Sequence, residues 1–504
     1  MRPALALPAA LLAGVAHTLS FAPFEAWWLQ VGALGVLAGL AAKAAPSRAA
    51  WLGWLFGVGW MVSGLWWLYI SMHDFGGMAT WLAAAAVLAL AALLGLYYAA
   101  ALALSAHLRR GRPQADAAMW AACWLLAELA RASLFTGFPW IASGYAHAVG
   151  PLAAWAPWIG VYGLSALGAW LACAAALAVR PMARQGRIGL GLTAAVLLGA
   201  PLALPTEFTQ STGELSVSLL QPDIAQDLKF DPARLDANLQ ALGRQIASAR
   251  GSLVVTPESV IPLTRGELSD GYWLRLLEPF ARPGRGLLIG LFLGNSDEGF
   301  VNSVVGVAAA APGAEYHYGK RHLLPFGEFV PPGFRWFVDL LDIPLGDQAH
   351  GTSSAAFAVG GQRVRPLICY EDLFGEDIVS SVVGAEPATV FANVSNLAWF
   401  GRWLVQDQHL QFSQMRALEF QRPVIRSTNT GATAVVDHRG RVTARLPAWT
   451  EGTLEAVVQG RSGATPYARW LSASGLWPLV LLALLLLFVL RRRATDRRSA
   501  CRAS

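Results

Sequence analysis

Long apolar runs separated by short polar breaks fill the chain up to residue 206, and from residue 207 they give way to short runs interrupted by Gly and Pro. A helix that crosses a bilayer needs ~20 mainly apolar residues. Seven stretches before residue 206 meet that need, at about 4–20, 26–42, 52–71, 79–105, 116–134, 153–179 and 187–204, and an eighth runs from about 470 to 490. The intervening block changes period. Leu215 to Leu220, Leu253 to Thr256, Gly286 to Leu291, Val301 to Val307, Val364 to Tyr370, Thr389 to Val394, Val424 to Ser427, Ala432 to Val436 and Leu454 to Val458 read as strands. Helical patterns intervene at Pro232 to Ala249 and Asp407 to Phe420, so the block is an α/β domain large enough for its own core. The expected organisation is a seven-helix membrane domain over 1–206, an α/β domain over 207–468, an eighth membrane helix over 469–490 and a basic tail over 491–504.

Charge orients this arrangement. Lys and Arg gather in loops on the cytoplasmic side, and here alternate loops carry them: Arg2, then Lys43 and Arg48, then Arg109, Arg110 and Arg112, then Arg180, Arg184 and Arg187. The loops near Phe24, from His73 to Gly77 and from Gly137 to Gly150 carry none. Both termini are therefore expected in the cytoplasm and the 207–468 block on the far side, the periplasm of a Gram-negative cell. An uncleaved first helix fits the opening residues better than a signal peptide, because further spans follow at once. The composition agrees, with 55% hydrophobic and 14% charged residues and a mean hydropathy of +0.44. The net charge of +6 comes with basic runs beside apolar segments, such as Arg491 to Arg493, so it reads as a topology signal and no nucleic-acid partner is expected.

Cys123, Cys173, Cys369 and Cys501 lie far apart with no CxxC spacing, which argues against a disulfide framework or a zinc site. Cys123 and Cys173 fall in apolar helices, where Cys behaves as a small hydrophobe. Cys501 begins only a loose imitation of a prenylation box, with Arg where an aliphatic residue belongs. His17 and His73 lack a second ligand at metal spacing, and neither a metal nor a cofactor is expected.

Three reactive side chains stand at or just after expected strands: Glu258 in Thr256-Pro257-Glu258-Ser259, Lys320 in Gly319-Lys320-Arg321-His322, and Cys369 in Ile368-Cys369-Tyr370-Glu371. Strand ends are where functional groups converge in α/β sheets. A thiol to attack, a carboxylate to relay its proton and an ammonium to balance a developing oxyanion make an acyl-transfer set. Lys320 carries extra weight because the chain has 35 Arg against three Lys. A compact ammonium beside a thiol raises the reactive thiolate fraction.

These segments, with Leu323-Leu324-Pro325-Phe326-Gly327-Glu328, resemble the Glu, Lys and Cys motifs of the nitrilase superfamily, and specifically those of the apolipoprotein N-acyltransferase family. Phe21-Ala22-Pro23-Phe24, Thr136-Gly137-Phe138-Pro139-Trp140, Ala398-Trp399-Phe400-Gly401, Met415-Arg416-Ala417-Leu418-Glu419 and Arg426-Ser427-Thr428-Asn429-Thr430-Gly431 extend the likeness over almost the whole chain. The resemblance implies an αββα nitrilase-like domain inserted in a polytopic helical bundle, with Glu258 as general base, Lys320 as stabiliser of the tetrahedral intermediate and Cys369 as nucleophile. It gives Glu328 and Glu371 supporting roles in orienting Lys320 and in the proton relay, and it places Tyr370 beside the nucleophile. One departure is visible, since Leu397 stands where the family usually has Asp. The implied reaction moves the sn-1 acyl chain of a phospholipid, typically phosphatidylethanolamine, to the α-amine of the diacylglyceryl-cysteine of an apolipoprotein. The implied enzyme works in the inner membrane, and a monomer is expected. The rival readings are a membrane-tethered amidase or nitrilase, which would have no need for the preceding helices, and a transporter with an accessory domain.

Several apolar residues suggest lipid contact. Phe326, Phe329, Phe334, Trp336, Phe337, Leu340, Leu341 and Ile343 crowd one loop, and Trp399, Phe400 and Trp403 another. Within the membrane, Glu128 and Arg131 are spaced to pair on one helical face. Because charges are costly there, Arg131 is expected either to seat a lipid phosphate, with Trp140, Trp399 and Phe400 as further substrate contacts, or to pair structurally with Glu128.

Overall fold

The apolar runs of the first two hundred residues fold as helices over Ala6–Thr18, Trp27–Ala41, Pro46–Leu65, Thr80–Leu108, Pro113–Ser133, Ala156–Ala178 and Arg184–Gly199. Pro46 and Pro113 open their helices at positions where a missing N–H costs nothing. The computed structural model describes residues 5–500 except 296, 298, 309–314, 332, 334 and 336–347, with side chains described as far as Arg491. It divides into two compact units, Met1–Thr206 with Ala473–Ser504, and Glu207–Ser472.

Among the described residues, Thr80–Leu108, Pro113–Thr136 and Pro151–Ala178 are long and apolar enough to cross a membrane, and the number rises to five if each of two broken pairs counts as one span. Two expected spans differ from continuous helices. The one expected at 52–71 begins at Pro46 and bends by 61° between Leu65 and Leu68. There the Trp67 indole N–H donates to the Gly64 carbonyl at 3.0 Å, competing with the helical ladder. The one expected at 470–490 is two helices, Pro466–Ser474 and another beginning at Trp477, broken at Gly475, whose φ of +57° is left-handed. Ala6–Thr18, Trp27–Ala41 and Arg184–Gly199 have 13, 15 and 16 residues. At 1.5 Å per residue they rise about 20–24 Å, less than a hydrocarbon core of ~30 Å.

Small residues let these helices approach closely. A Cβ on Gly53 would lie 2.4 Å from the Tyr98 carbonyl oxygen, and one on Gly57 would lie 2.7 Å from the Gly95 Cα. His17 is packed among the rings of Phe21, Phe56 and Trp60.

The second unit is a two-sheet sandwich. Its described strands are β1 Thr209–Gln221, β2 Leu253–Val255, β3 Gly286–Asn295, β4 Gly299–Ala308, β5 Tyr316–Gly319, β6 Phe357–Val359, β7 Gln362–Ile368, β8 Val390–Ser395, β9 Val424–Thr428, β10 Ala434–Val436, β11 Val442–Arg445 and β12 Gly452–Gly463. One sheet has the order β12-β1-β2-β3-β4-β5 and the other β11-β10-β9-β8-β7-β6. In each, three parallel strands form the middle, β1-β2-β3 and β7-β8-β9, and antiparallel strands flank them. The middle strands β2, β8 and β9 are buried at every position, as a parallel strand covered on both faces requires. The Ser427 hydroxyl ties the sheets together, 2.8 Å from the Leu220 carbonyl and 3.0 Å from that of Val255.

Helices cover the outer faces. Pro232–Ser248, capped by the Asp231 carboxylate on the Ala233 N–H at 2.9 Å, and Asp270–Leu277 pack Leu242, Ile246, Trp273 and Leu276 against Leu220, Val254, Leu287 and Ile289. Val405–Phe420 lies buried along nearly its whole length beside β9 and β10.

Candidate active site

The carboxyl ends of the parallel strands bring the site together. Cys369 follows β7 directly and Asn396 follows β8, while Glu258 lies three residues past β2 and Lys320 one past β5. Cys369 holds φ +51° at the first position of a tight turn, Cys369–Leu373. Such a conformation in a residue with a side chain marks a position that its surroundings must hold.

Lys320 is the hub. It is 1% exposed, and its Nζ donates to Glu258 Oε1 at 3.2 Å and to Glu328 Oε1 at 2.6 Å. The Asn302 amide on β4 donates to Glu258 Oε1 at 2.8 Å, and the Asn396 N–H donates to Glu258 Oε2 at 2.9 Å. Both oxygens of Glu258 are thereby held. Glu328 is fixed through its other oxygen by the Leu324 N–H at 2.8 Å. The turn carrying Glu258 presses on β3, where a Cβ at Gly290 would meet the Pro257 oxygen at 2.3 Å and the Ser259 nitrogen at 2.7 Å.

Burial works to discharge Lys320, but Glu258 and then Glu328 outweigh it and hold the ammonium above its ordinary pKa. Burial pushes the Cys369 thiol well above the ordinary range, with Glu258 adding to that and Lys320 opposing it. Cys369 therefore rests as a thiol beside Glu258 and Lys320.

Glu371 holds the residue next to Lys320 and the strand end before Cys369. Its carboxylate accepts from the Tyr318 hydroxyl at 2.7 and 2.8 Å, from the Arg321 N–H at 2.7 Å and from the Ile368 N–H at 2.7 Å. It therefore ties the loop bearing Lys320 to the strand end bearing Cys369. Tyr370 is buried, with its ring 5.2 Å from that of Phe374 and 5.7 Å from that of His322.

Beneath Cys369 lies a polar chain that residue types alone did not reveal. The Cys369 carbonyl accepts from His409 Nε2 at 3.1 Å, and Arg426 Nη2 donates to His409 Nδ1 at 2.8 Å. Arg426 also pairs with Asp372 at 3.0 Å. Burial, then Arg426, keep His409 neutral well below the usual range, which suits an imidazole accepting a hydrogen bond on one nitrogen and donating from the other. Asn302, Asn396, His409, Arg426 and Lys229 were all missed. Only Lys229 carried a visible signal, being one of three Lys, the same rarity that singled out Lys320.

The other expected contacts are dispersed. Arg131 is 1% exposed in the helical unit, its two terminal nitrogens bonded to Glu128 at 2.9 Å and to the Phe138 and Trp140 carbonyls at 2.8 and 2.9 Å. Glu128 in turn accepts from the Ser143 hydroxyl at 2.8 Å. Of the two expectations for Arg131, the structural pair with Glu128 is the one seen in this geometry. Trp140 is buried beside Trp67. Trp399 and Phe326 are exposed, Trp403 is 70% exposed and Phe400 is half-buried. Phe334, Trp336, Phe337, Leu340, Leu341, Ile343 and Cys501 lie outside the described residues. Leu397, at the position of the departure, is fully buried.

Comparison with known proteins supplies a family. Residues 13–174 match the apolipoprotein N-acyltransferase N-terminal domain, and residues 216–467 match the carbon-nitrogen hydrolase domain. The chain is 46% identical to the apolipoprotein N-acyltransferase of Ralstonia nicotianae, over 97% of its own length and 94% of that protein's. It is 44% identical to that of Verminephrobacter eiseniae, over 93% of each. Among solved structures, a CN-hydrolase superfamily protein from Xanthomonas campestris aligns at 18% identity with a TM-score of 0.36, covering 52% of this chain and 96% of that one.

Proposed function

The chain belongs to the apolipoprotein N-acyltransferase family, and from that premise we propose that it transfers the sn-1 acyl chain of a phospholipid, phosphatidylethanolamine foremost, to the N-terminal diacylglyceryl-cysteine amine of apolipoproteins. The observation that carries the reading is the convergence of Glu258 and Glu328 on the Lys320 ammonium beside the Cys369 thiol. In the first step Cys369 Sγ attacks the ester carbonyl while Glu258 takes the thiol proton. The oxyanion forms against the Lys320 ammonium. Collapse of the intermediate expels the lysophospholipid alkoxide, which receives the proton from Glu258, and leaves a thioester on Cys369.

In the second step Glu258 deprotonates the incoming amine, which attacks the thioester, and Cys369 leaves as the restored thiol. Donor and acceptor use one site in turn, so ping-pong kinetics follow. Water is the competitor. Burial of Glu258, Lys320 and Cys369, together with the high local concentration of two membrane-anchored substrates, favours the amine. Exposed Phe230, Phe326, Trp399 and Trp403 on the same unit support contact with acyl chains.

The same reading gives eight spans in a multi-pass inner-membrane protein. It also gives cytoplasmic termini, a periplasmic catalytic domain over 207–468 and a working monomer. Intact-mass analysis of enzyme purified from membranes tests the chemistry. The wild type should carry a long-chain acyl adduct labile to hydroxylamine, and Cys369→Ala should carry none. An unmodified wild type that releases only small acids would point to the amidase reading instead.

A further inference from the structure

Lys229 is the one described lysine in the catalytic unit besides Lys320, and the acyl-transfer steps above leave it unused. It ends the short helix Gln226–Lys229 after β1 and is 2% exposed. Its Nζ donates to the Ser259 hydroxyl at 2.8 Å and lies 3.3 Å from the Glu258 carbonyl oxygen. Among the described residues no carboxylate stands within ion-pair distance of it, and Asp227 on the same short helix is exposed. A buried ammonium without a salt-bridge partner is expensive, so a fold that keeps one uses its charge or its geometry.

Both uses are visible. Ser259 holds φ +43°, and the turn it shares with Glu258 closes over Gly290. Lys229 grips that turn at two points. The groups around the base are Lys320 and Glu328, both on the loop after β5, and Cys369 after β7, with Asn302 and Asn396 supplying neutral donors. Two carboxylates and one ammonium leave this cluster one negative charge in excess. Lys229, which interacts electrostatically with Glu258, brings the count to zero.

We propose that Lys229 is a positioning residue of the acyl-transfer site, which clamps the Glu258–Ser259 turn and places a second positive charge beside Glu258. The proposal rests on the acyl-transfer reading and deepens it. Burial pulls the Lys229 ammonium down to about 8, with Glu258 working against that, as expected of a cation whose nearest charged neighbour stops short of full pairing.

The test measures lysophospholipid release in the acylation half-reaction, without acceptor, as a function of pH for purified full-length enzyme. Lys229→Gln keeps a donor for Ser259 and loses the charge, Lys229→Arg keeps the charge, and Ser259→Ala keeps the charge but loses the anchor. Removing a buried cation beside a carboxylate makes its ionised form costlier. The acidic limb of Lys229→Gln should therefore move up by about one pH unit, a tenfold loss below the limb. Lys229→Arg should keep the limb where the wild type has it, and Ser259→Ala should slow the reaction at all pH values without moving the limb. A Lys229→Gln limb that coincides with the wild type, or an Arg variant displaced as far as the Gln variant, overturns the proposal. So does failure of both Lys229 variants to fold, which would make Lys229 a packing residue. A wild type that forms no acyl-enzyme overturns the acyl-transfer reading itself, which separates the two failures.

Discussion

At the scale of single residues, the candidate site sets one ammonium between two carboxylates. Lys320 is enclosed on all sides, and a guanidinium has a planar fork where the pocket offers converging oxygens around a point charge. On the proposed mechanism, Lys320→Arg should lower the acylation rate by about 10²–10³-fold, the usual cost of losing an oxyanion partner, while the apparent KM for phospholipid changes little. Single-turnover acylation kinetics check this. A second prediction concerns Glu376, whose carboxyl is pushed up to about 7 by burial and whose Oε2 finds no hydrogen-bond partner among the described residues. Its folded-state pKa is raised, so the folded protein holds the proton more tightly and stability falls as pH rises from the ordinary 4.5 towards 7. Glu376→Gln should therefore raise the melting midpoint at pH 8 and leave it nearly unchanged at pH 4, as thermal unfolding in detergent at both values would reveal.

At the scale of elements, the strands that the sequence pattern missed have a common position. β5, β6 and β11 are each at the edge of a sheet. An edge strand pairs on one side only, is often short, and carries no burial on both faces to write an apolar run into its sequence. Middle strands β2, β8 and β9 were legible because burial on both faces leaves short apolar runs at Leu253–Val255, Val390-Phe391-Ala392 and Val424-Ile425. The helix Val405–Phe420 shows the opposite limit. Its Gln406, Gln408, His409, Gln411, Gln414 and Arg416 look like a solvated face, yet all are buried: His409 reaches the Cys369 carbonyl, Gln414 donates to the Gly440 carbonyl and Arg416 pairs with Glu419. Gly290 ties element to site. Gly290→Ala would press its Cβ against the Glu258 turn, with overpacking of about 1–3 kcal/mol, and should cost activity well before it costs fold. Circular dichroism alongside the acylation assay separates the two losses.

At the scale of the whole molecule, charge asymmetry makes a statement about sidedness that helix lengths alone do not. Among the described residues, three helices meet the length and hydropathy of a span without qualification, and two broken pairs bring the number to five. The remaining apolar helices of the first unit are too short by about 6–10 Å of rise to cross ~30 Å of hydrocarbon unaided. The alternation of basic loops with loops free of Lys and Arg nevertheless continues through all of them. Single cysteines placed on a background without the native thiols should be labelled by an impermeant maleimide in intact spheroplasts at Asp74 and Asp236, both exposed, and only after permeabilisation at Arg110 and Arg184. Labelling of Arg110 from outside would invert the proposed topology.

The amino-acid sequence by itself determined the split between a lipid-compatible part and an α/β part, because burial in lipid and burial in a sheet leave different apolar periods. It also marked Glu258, Lys320 and Cys369, since reactive residue types at strand ends leave a local trace. Only the tertiary structure decided how those groups are held. Asn302 and Asn396 reach Glu258, His409 reaches the Cys369 carbonyl, and Lys229 reaches the Glu258 turn across separations of 29 to 138 residues. Hydrogen bonds between residues so far apart in sequence leave no periodic signature, and they exist only once the chain ends of several strands have been brought to one place.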